Sequence, residues 1–292
     1  MPLLVRRKRF APSIAAALVA PALLVTAPCL AVSKTGIPPT AELVVAPAPA
    51  ETVYYRVPFS WQGADLDGTV SLYRIALDPP AFGEPYWIET SSTSRTFFFE
   101  AGSLDLPVPD SGPVTFSQPH TLVLKAVDDE GLESEPVSRS FFASTIAPEV
   151  QIVAPKPDPT TSVPIGTQVT IEWQGTDLDG VFTNRPVRYK YLLVGQLNDF
   201  PGGIDGAWAH PEAFRDRYAP LFADWSTTSS DTTSAHFFNL VPGQRYLFCV
   251  VGFDEAGAYS ARFGPAINMI ELLAGITPTR AASWGRLKWR YR

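Results

Sequence analysis

Two short loops hold the densest chemistry in this 292-residue chain. Trp61 to Gly68 reads WQGADLDG and Trp173 to Gly180 reads WQGTDLDG, so Asp65 and Asp67 recur as Asp177 and Asp179 with the same spacing. A second acidic run follows each octapeptide: Asp128-Asp129-Glu130-Gly131, then Asp254-Glu255-Ala256-Gly257. Carboxylates gathered in one place repel unless they are protonated, solvated or neutralised by a cation. Calcium is the hard cation that takes several oxygen ligands, and extracellular modules bind it at about 10⁻⁴ to 10⁻³ M. The competing and favoured reading is a turn. Aspartates accept backbone N–H bonds, and Gly68 or Gly180 would supply a positive φ. The spacing matches the start of an EF-hand loop, but the later glutamate and the flanking helices are missing.

Catalytic chemistry has little support. His120, His210 and His236 sit in unrelated segments without metal-ligand spacing. No Gly-x-Ser-x-Gly elbow, phosphate loop or His-Glu-x-x-His is present. Facing acids can cleave glycosides, but exposed loops lack the apolar pocket that raises an acid's pKa. We expect a protein that is not an enzyme.

The elements that must position these acids also come in pairs. Leu43 to Pro49 matches Gln151 to Pro157, Val57 to Trp61 matches Val169 to Trp173, and Ala126 to Gly131 matches Gly252 to Gly257. One domain is written twice. Runs rich in Val, Ile, Phe, Tyr and Thr alternate between Pro, Gly, Asp and Ser, which predicts strands. In the first copy they fall near 42–46, 55–61, 70–77, 86–89, 95–99, 120–127 and 135–142. In the second they fall near 150–154, 168–173, 187–194, 224–227, 234–239, 245–253 and 258–267. About seven strands per roughly 100 residues imply an all-β chain of two tandem immunoglobulin-like antiparallel β-sandwiches. The boundaries are 40–144 and 148–272, joined by a short linker.

Leu240-Val241-Pro242-Gly243-Gln244-Arg245-Tyr246 resembles the corner between strands E and F of a fibronectin type III domain, and Trp173 stands where that family has its strand B tryptophan. The resemblance implies that Tyr246 is a tyrosine corner, its ring in the core and its hydroxyl on nearby backbone. Trp61 and Trp173 are then structural core residues. The first copy departs from the pattern, with His120 in the place of Tyr246. Asp65 to Tyr73 also resembles the B–C region of PKD-type bacterial surface modules, which share the sandwich. In that topology the B–C and F–G loops emerge at one pole. Asp65 and Asp67 would meet Asp128 and Asp129, and Asp177 and Asp179 would meet Asp254 and Glu255. These eight are the candidate calcium ligands.

The second copy carries an insertion at about 198–223. His210 to Tyr218 predicts a short helix with Pro211 in its first turn. Phe214, Tyr218 and Leu221 give it one apolar face. On strand F, Tyr246, Phe248 and Val250 should point inward, leaving Leu247, Cys249, Val251 and Phe253 outward. We expect the insertion to cover that outer face. The alternative is an aromatic ligand platform of Phe200, Trp208 and Tyr218.

Met1 to Ser33 has the marks of an export signal: a basic Arg6-Arg7-Lys8-Arg9, an apolar run, and small residues that suit cleavage after Ala31 or Ser33. An uncleaved anchor over 10–32 is the alternative. Removal of the signal takes four bases and no acid, moving the net charge from −6 to −10. Such a body repels phosphate and argues against nucleic acid. Only Cys249 would remain, so no internal disulfide forms. The basic, aromatic tail at 277–292 suits an acidic surface or envelope component. The reading is a secreted or cell-envelope protein that binds, adheres or spaces, with a protein or glycan partner and no transmembrane segment once the signal is cleaved. The alternative is a carbohydrate-binding or accessory subunit of an extracellular hydrolase.

Overall fold

A computed structural model describes residues 36–104, 108–181 and 183–275. The expected signal at 1–33 and the tail at 277–292 lie outside the described residues.

The first sandwich runs through β1 (Thr40–Val45), β2 (Thr52–Tyr54), β3 (Arg56–Ala64), β4 (Val70–Leu77), β5 (Ile88–Thr90), β6 (Ser94–Phe98), β7 (Thr115–Asp128) and β8 (Val137–Ile146). The second runs through β9 (Glu149–Ala154), β10 (Val163–Pro164), β11 (Val169–Thr176), β12 (Arg188–Val194), β13 (Ser226–Ser229), β14 (Ser234–Phe237), β15 (Arg245–Phe253) and β16 (Met269–Leu273). Each pairs a three-stranded sheet with a five-stranded one. The orders are β1-β3-β6 against β2-β8-β7-β4-β5, and β14-β11-β9 against β10-β16-β15-β12-β13. Relabelled A to G, both copies read A-B-E facing A′-G-F-C-C′, the fibronectin type III arrangement with its first strand split between sheets.

The pleat explains the pattern. Side chains alternate between faces every second residue, and β11 buries Val169, Ile171, Trp173 and Gly175 while exposing the four between them. Trp61 and Trp173 anchor the two cores at 2% exposure each. Each meets a strand C tyrosine edge-on, Tyr73 at 6.1 Å and Tyr189 at 5.9 Å. The glycine of Trp-Gln-Gly makes that approach possible. A Cβ on Gly175 would lie 2.6 Å from the Tyr189 hydroxyl, and one on Gly63 would lie 2.9 Å from the Thr40 carbonyl.

One expectation is corrected, and two features are additions to it. Strand G of the second copy is β16, not 258–267. Ala258, Ala261 and Phe263 are apolar because they pack against neighbouring clusters, not because they alternate in a sheet. The parallel edge strands β2 and β10, on β8 and β16, were not expected. Helix α1 (Gly203–Ala209) precedes the expected helix within the insertion.

Helix α2 (Pro211–Tyr218) begins with its proline where the helix has an amide to spare. A 3₁₀ turn over Ala219–Asp224 follows. Three residues per turn swing Phe222 inward and leave Leu221 46% exposed, against the expected face. The insertion covers strand F as expected: Leu247, Cys249, Val251 and Phe253 pack with Phe200, Phe214, Tyr218, Phe222 and Trp225. Burial on this scale stabilises by roughly 1.5–3 kcal/mol per large side chain.

Candidate functional site

The two acidic poles are built from one plan. In each F–G hairpin the first aspartate closes a four-residue turn on itself. Leu132 N–H donates to Asp128 Oδ1 at 2.7 Å, and Ala258 N–H donates to Asp254 Oδ1 at 2.7 Å. Gly131 and Gly257 take φ of 80° and 86° in these turns, where a side chain would be strained. Serine hydroxyls lock both hairpins, Ser134 to Ala126 N–H at 2.9 Å and Ser260 to Gly252 N–H at 3.0 Å.

The second aspartate of each octapeptide holds the chain that enters its sandwich. Asp67 Oδ2 accepts from Ile37 N–H at 2.9 Å, and Asp179 Oδ2 accepts from Ile146 N–H at 2.8 Å. Ile37 and Ile146 each stand three residues before the first strand, at Thr40 and Glu149. The repeated octapeptide therefore does two mechanical jobs. Its tryptophan and first glycine pack the core, and its acids fasten the preceding segment to the pole.

Gly68 and Gly180 do not have the expected positive φ. They are glycines for want of room. A Cβ on Gly68 would lie 2.5 Å from Asp129 Oδ1 and 2.7 Å from Asp65 Oδ2, and one on Gly180 would lie 2.1 Å from the Thr183 carbonyl. The first of these crowded points also shows that Asp65 and Asp129 meet, as the topology implied.

Surroundings separate the poles. In the first, Asp67 and Asp129 are exposed, and Asp129 accepts from Thr69 N–H at 2.9 Å, which lowers its pKa. The second pole is covered by the first sandwich. Ala256 lies in that sandwich's core cluster, and its carbonyl accepts from Ala101 N–H at 2.7 Å. Thr145 Oγ1 lies 2.7 Å from Asp254 Oδ2 and 3.1 Å from Asp179 Oδ2, and the Tyr54 hydroxyl donates to the Asp179 carbonyl. Burial pushes Asp177 up to about 8, with Asp179 beside it adding to the rise. Burial also pushes Asp254 up to about 6, against the lowering by Thr145 and Ala258. Among the described residues, no three His, Cys, Asp or Glu side chains stand arranged around a metal position.

The loop after strand F fastens everything together. Tyr259 meets Phe116 of the first sandwich at 5.0 Å and Phe222 of the insertion at 5.2 Å. Arg215 of α2 donates to the Ala261 carbonyl at 2.7 Å. Arg262 donates to the Pro109 carbonyl at 3.1 Å and pairs with Glu149 at 3.2 Å.

Tyr246 makes the corner that the resemblance implied, and His120, where the first copy lacks that tyrosine, makes bonds of a different kind. The Tyr246 hydroxyl accepts from Val241 N–H at 3.0 Å while its ring packs on the second core. His120, 5% exposed, puts Nε2 2.6 Å from the Glu100 carbonyl and Nδ1 2.7 Å from Asp78 Oδ2. It ties the same corner of the first copy.

The platform of Phe200, Trp208 and Tyr218 is corrected. Phe200 and Tyr218 are 7% and 6% exposed, and Trp208 is half-buried against the same cluster, so their rings are spent on covering strand F. Exposed rings stand elsewhere. Phe82 and Tyr86 are 94% and 85% exposed in the β4–β5 loop, next to Trp87, whose ring lies 5.3 Å from Lys125 Nζ. The signal was the proline-rich, aromatic stretch Asp78 to Trp87, too irregular to read as a strand.

Among the described residues, no helix is long and apolar enough to cross a membrane. By sequence the chain matches no family model and no curated protein. Several solved structures overlap with it loosely. The fibronectin(III)-like modules of Clostridium thermocellum CbhA do so with a TM-score of 0.30 and 14% identity, over 81% of this chain and 95% of theirs. The FN1–FN3 domains of chicken CNTN1 reach 0.27 and 16%, over 82% and 68%. A two-domain fibronectin type III segment of chicken tenascin reaches 0.26 and 16%, over 80% and 98%. Strand order alone carries the conclusion: the chain folds as two tandem fibronectin III-type β-sandwiches.

Proposed function

We propose that this protein is an exported, non-catalytic arm whose two sandwiches are locked into one rigid piece, spacing or presenting a partner at the cell surface. The covered second pole carries the reading. A hinge between sandwiches needs loops free to part, and here Ala256 sits inside the neighbouring core. Two of the acids, Asp67 and Asp179, hold the entering chain and support the reading.

Nuclear spin relaxation on the full-length protein tests this. A rigid arm gives one rotational correlation time for both sandwiches. Two independent times would remove the reading.

Phe82 and Tyr86 favour a second role, carbohydrate binding, because exposed ring faces stack on the apolar faces of sugars. A glycan array with the native protein and the Phe82→Ala/Tyr86→Ala double variant decides it. Glycan binding lost in the variant supports the role, and an array with no binding removes it.

A further inference from the structure

The strand that enters the second sandwich leaves part of its outer edge unpaired. In β9, Ile152 stands opposite Trp173 of β11, and neither amide serves the other strand. Ile152 N–H donates to the Ile267 carbonyl at 2.8 Å, and Trp173 N–H donates to the Thr233 carbonyl at 2.9 Å. In an antiparallel ladder such pairs recur every second residue. Val150, opposite Gly175, therefore also turns its N–H and C=O away from β11. No described residue bonds to either group. Buried backbone groups are nearly always paired, and Val150 is 3% exposed. Its side chain is spent on the second core, so what it presents to the cavity of about 380 Å³ that it lines is backbone.

The cavity lies in the seam, and both sandwiches build it. Val114 and Ala147 from the first and Ile267 from the second give it an apolar wall. Gln151 and Gln174, side by side across β9 and β11, give it two carboxamides. The first copy holds Glu42 and Gln62 in that register and closes them on each other, Gln62 Nε2 donating to Glu42 Oε2 at 2.8 Å. In the second copy neither glutamine side chain bonds to a described residue. The same cross-strand pair is satisfied at one sandwich and open at the other.

The chemistry of the walls selects the occupant. Glu149 and Arg262, the charged side chains among the described lining residues, pair at 3.2 Å, and Arg262 also donates to the carbonyls of Pro109 and Gly112. An anion finds no free cation there. No described aromatic ring lines the cavity, so a sugar finds no face to stack on. A backbone donor and acceptor, two neutral carboxamides and an apolar wall are what an added β-strand uses. Resting on the rigid-arm reading above, which keeps the two walls together, we infer that the seam is a docking site for an uncharged, extended peptide that pairs with Val150 as a strand beside β9.

The pairing sets the peptide's sequence requirements. Side chains of a strand alternate between faces, so one apolar side chain meets Val114, Ala147 and Ile267 while its neighbours meet the carboxamides or water. Proline fails at the paired position because it has no N–H to give. Ile267 caps β9 at Ile152, so the site admits a short segment and not a long ladder.

The test reads hydrogen exchange of the Val150 amide in the full-length protein, with capped acetyl-Val-Ile-Val-amide as probe. Without probe, Val150 should exchange faster than Gln151 and Ile152, its bonded neighbours. Probe at roughly 10 mM, above a millimolar Kd, should slow Val150 by about 10-fold. The same tripeptide N-methylated at every residue should leave it unchanged. Gln174→Trp, an exposed position on the cavity wall, should keep the native spectrum and abolish the effect. Val150 that is as slow as its neighbours without probe, or unmoved by probe, overturns the site, and a single correlation time in that sample leaves the rigid arm standing. Two correlation times overturn both. Equal protection by the N-methylated probe overturns strand pairing in favour of a merely apolar groove. Protection that grows with protein concentration alone overturns the partner peptide in favour of a second copy.

Discussion

The F–G hairpins of the two sandwiches have the same turn, the same serine lock and the same partner octapeptide, yet one lies in water and the other inside a neighbour. Glu130 and Ala256 are equivalent positions; the first is exposed, the second 1% exposed. Outer faces differ in the same way. Strand F of the first copy carries Lys125, which pairs with Glu133 at 2.9 Å, while Arg74 joins Glu133 and Glu89. The second copy puts Val251 and Tyr259 in the places of Lys125 and Glu133, burying the first and partly burying the second under the insertion. Duplication preserved the backbone, and a few side chains decided whether each surface meets water or protein.

Exchanging those side chains should break the difference. The largest effect is expected for Val251→Lys, which writes the first copy's charge under the insertion. Burying an unpaired cation there costs about 3–5 kcal/mol. The insertion should lift, and thiol labelling of Cys249, 1% exposed, should quicken by about 100-fold or more. Ala256→Glu comes next. A charge placed in the first core should cost about 3 kcal/mol and split thermal unfolding into two transitions. Its mirror, Glu130→Ala, should stay within about 0.5 kcal/mol.

Tyr246→Phe removes one hydrogen bond and should cost about 0.5–1.5 kcal/mol in chemical denaturation. The smallest and most selective effect is in pH dependence. Asp177→Asn should gain on the native protein as the pH rises from about 4 to about 8, because it removes the group raised to about 8. Asp65→Asn, at the solvated pole, also removes a carboxyl raised above its ordinary range and should gain in the same direction but by less. Equal profiles for the two would erase the distinction between poles.

Much of this was legible in the sequence because it is local. Period-two alternation located β4 and β15 to the residue, and the octapeptide and hairpin acids announced the poles. The tyrosine corner was readable from Leu240 to Tyr246, and the outward set on strand F required a cover. Other features depend on partners that no single segment specifies. Strands β2 and β10 are three and two residues long, too short to alternate. Residues 258–267 have strand-like composition because they touch three neighbours at once. Gly68 and Gly180 looked like φ-driven glycines, but crowding marks them: Asp65 and the distant Asp129 at the first, the Thr183 carbonyl at the second. The burial of Asp177 was unreadable in principle, since Asp65 differs from it in sequence only by Ala64 for Thr176 and has a different neighbour in space.

The parallel pairing of β2 with β8 carries a mechanical consequence. The strand near the start of the first sandwich lies beside the strand that leaves it, and both run the same way. Pulling the two ends of that sandwich apart drags these strands past each other, so their bonds share the load in shear and do not open one by one. The same geometry recurs where β10 meets β16. A chain built this way resists tension along its length better than its short edge strands would suggest.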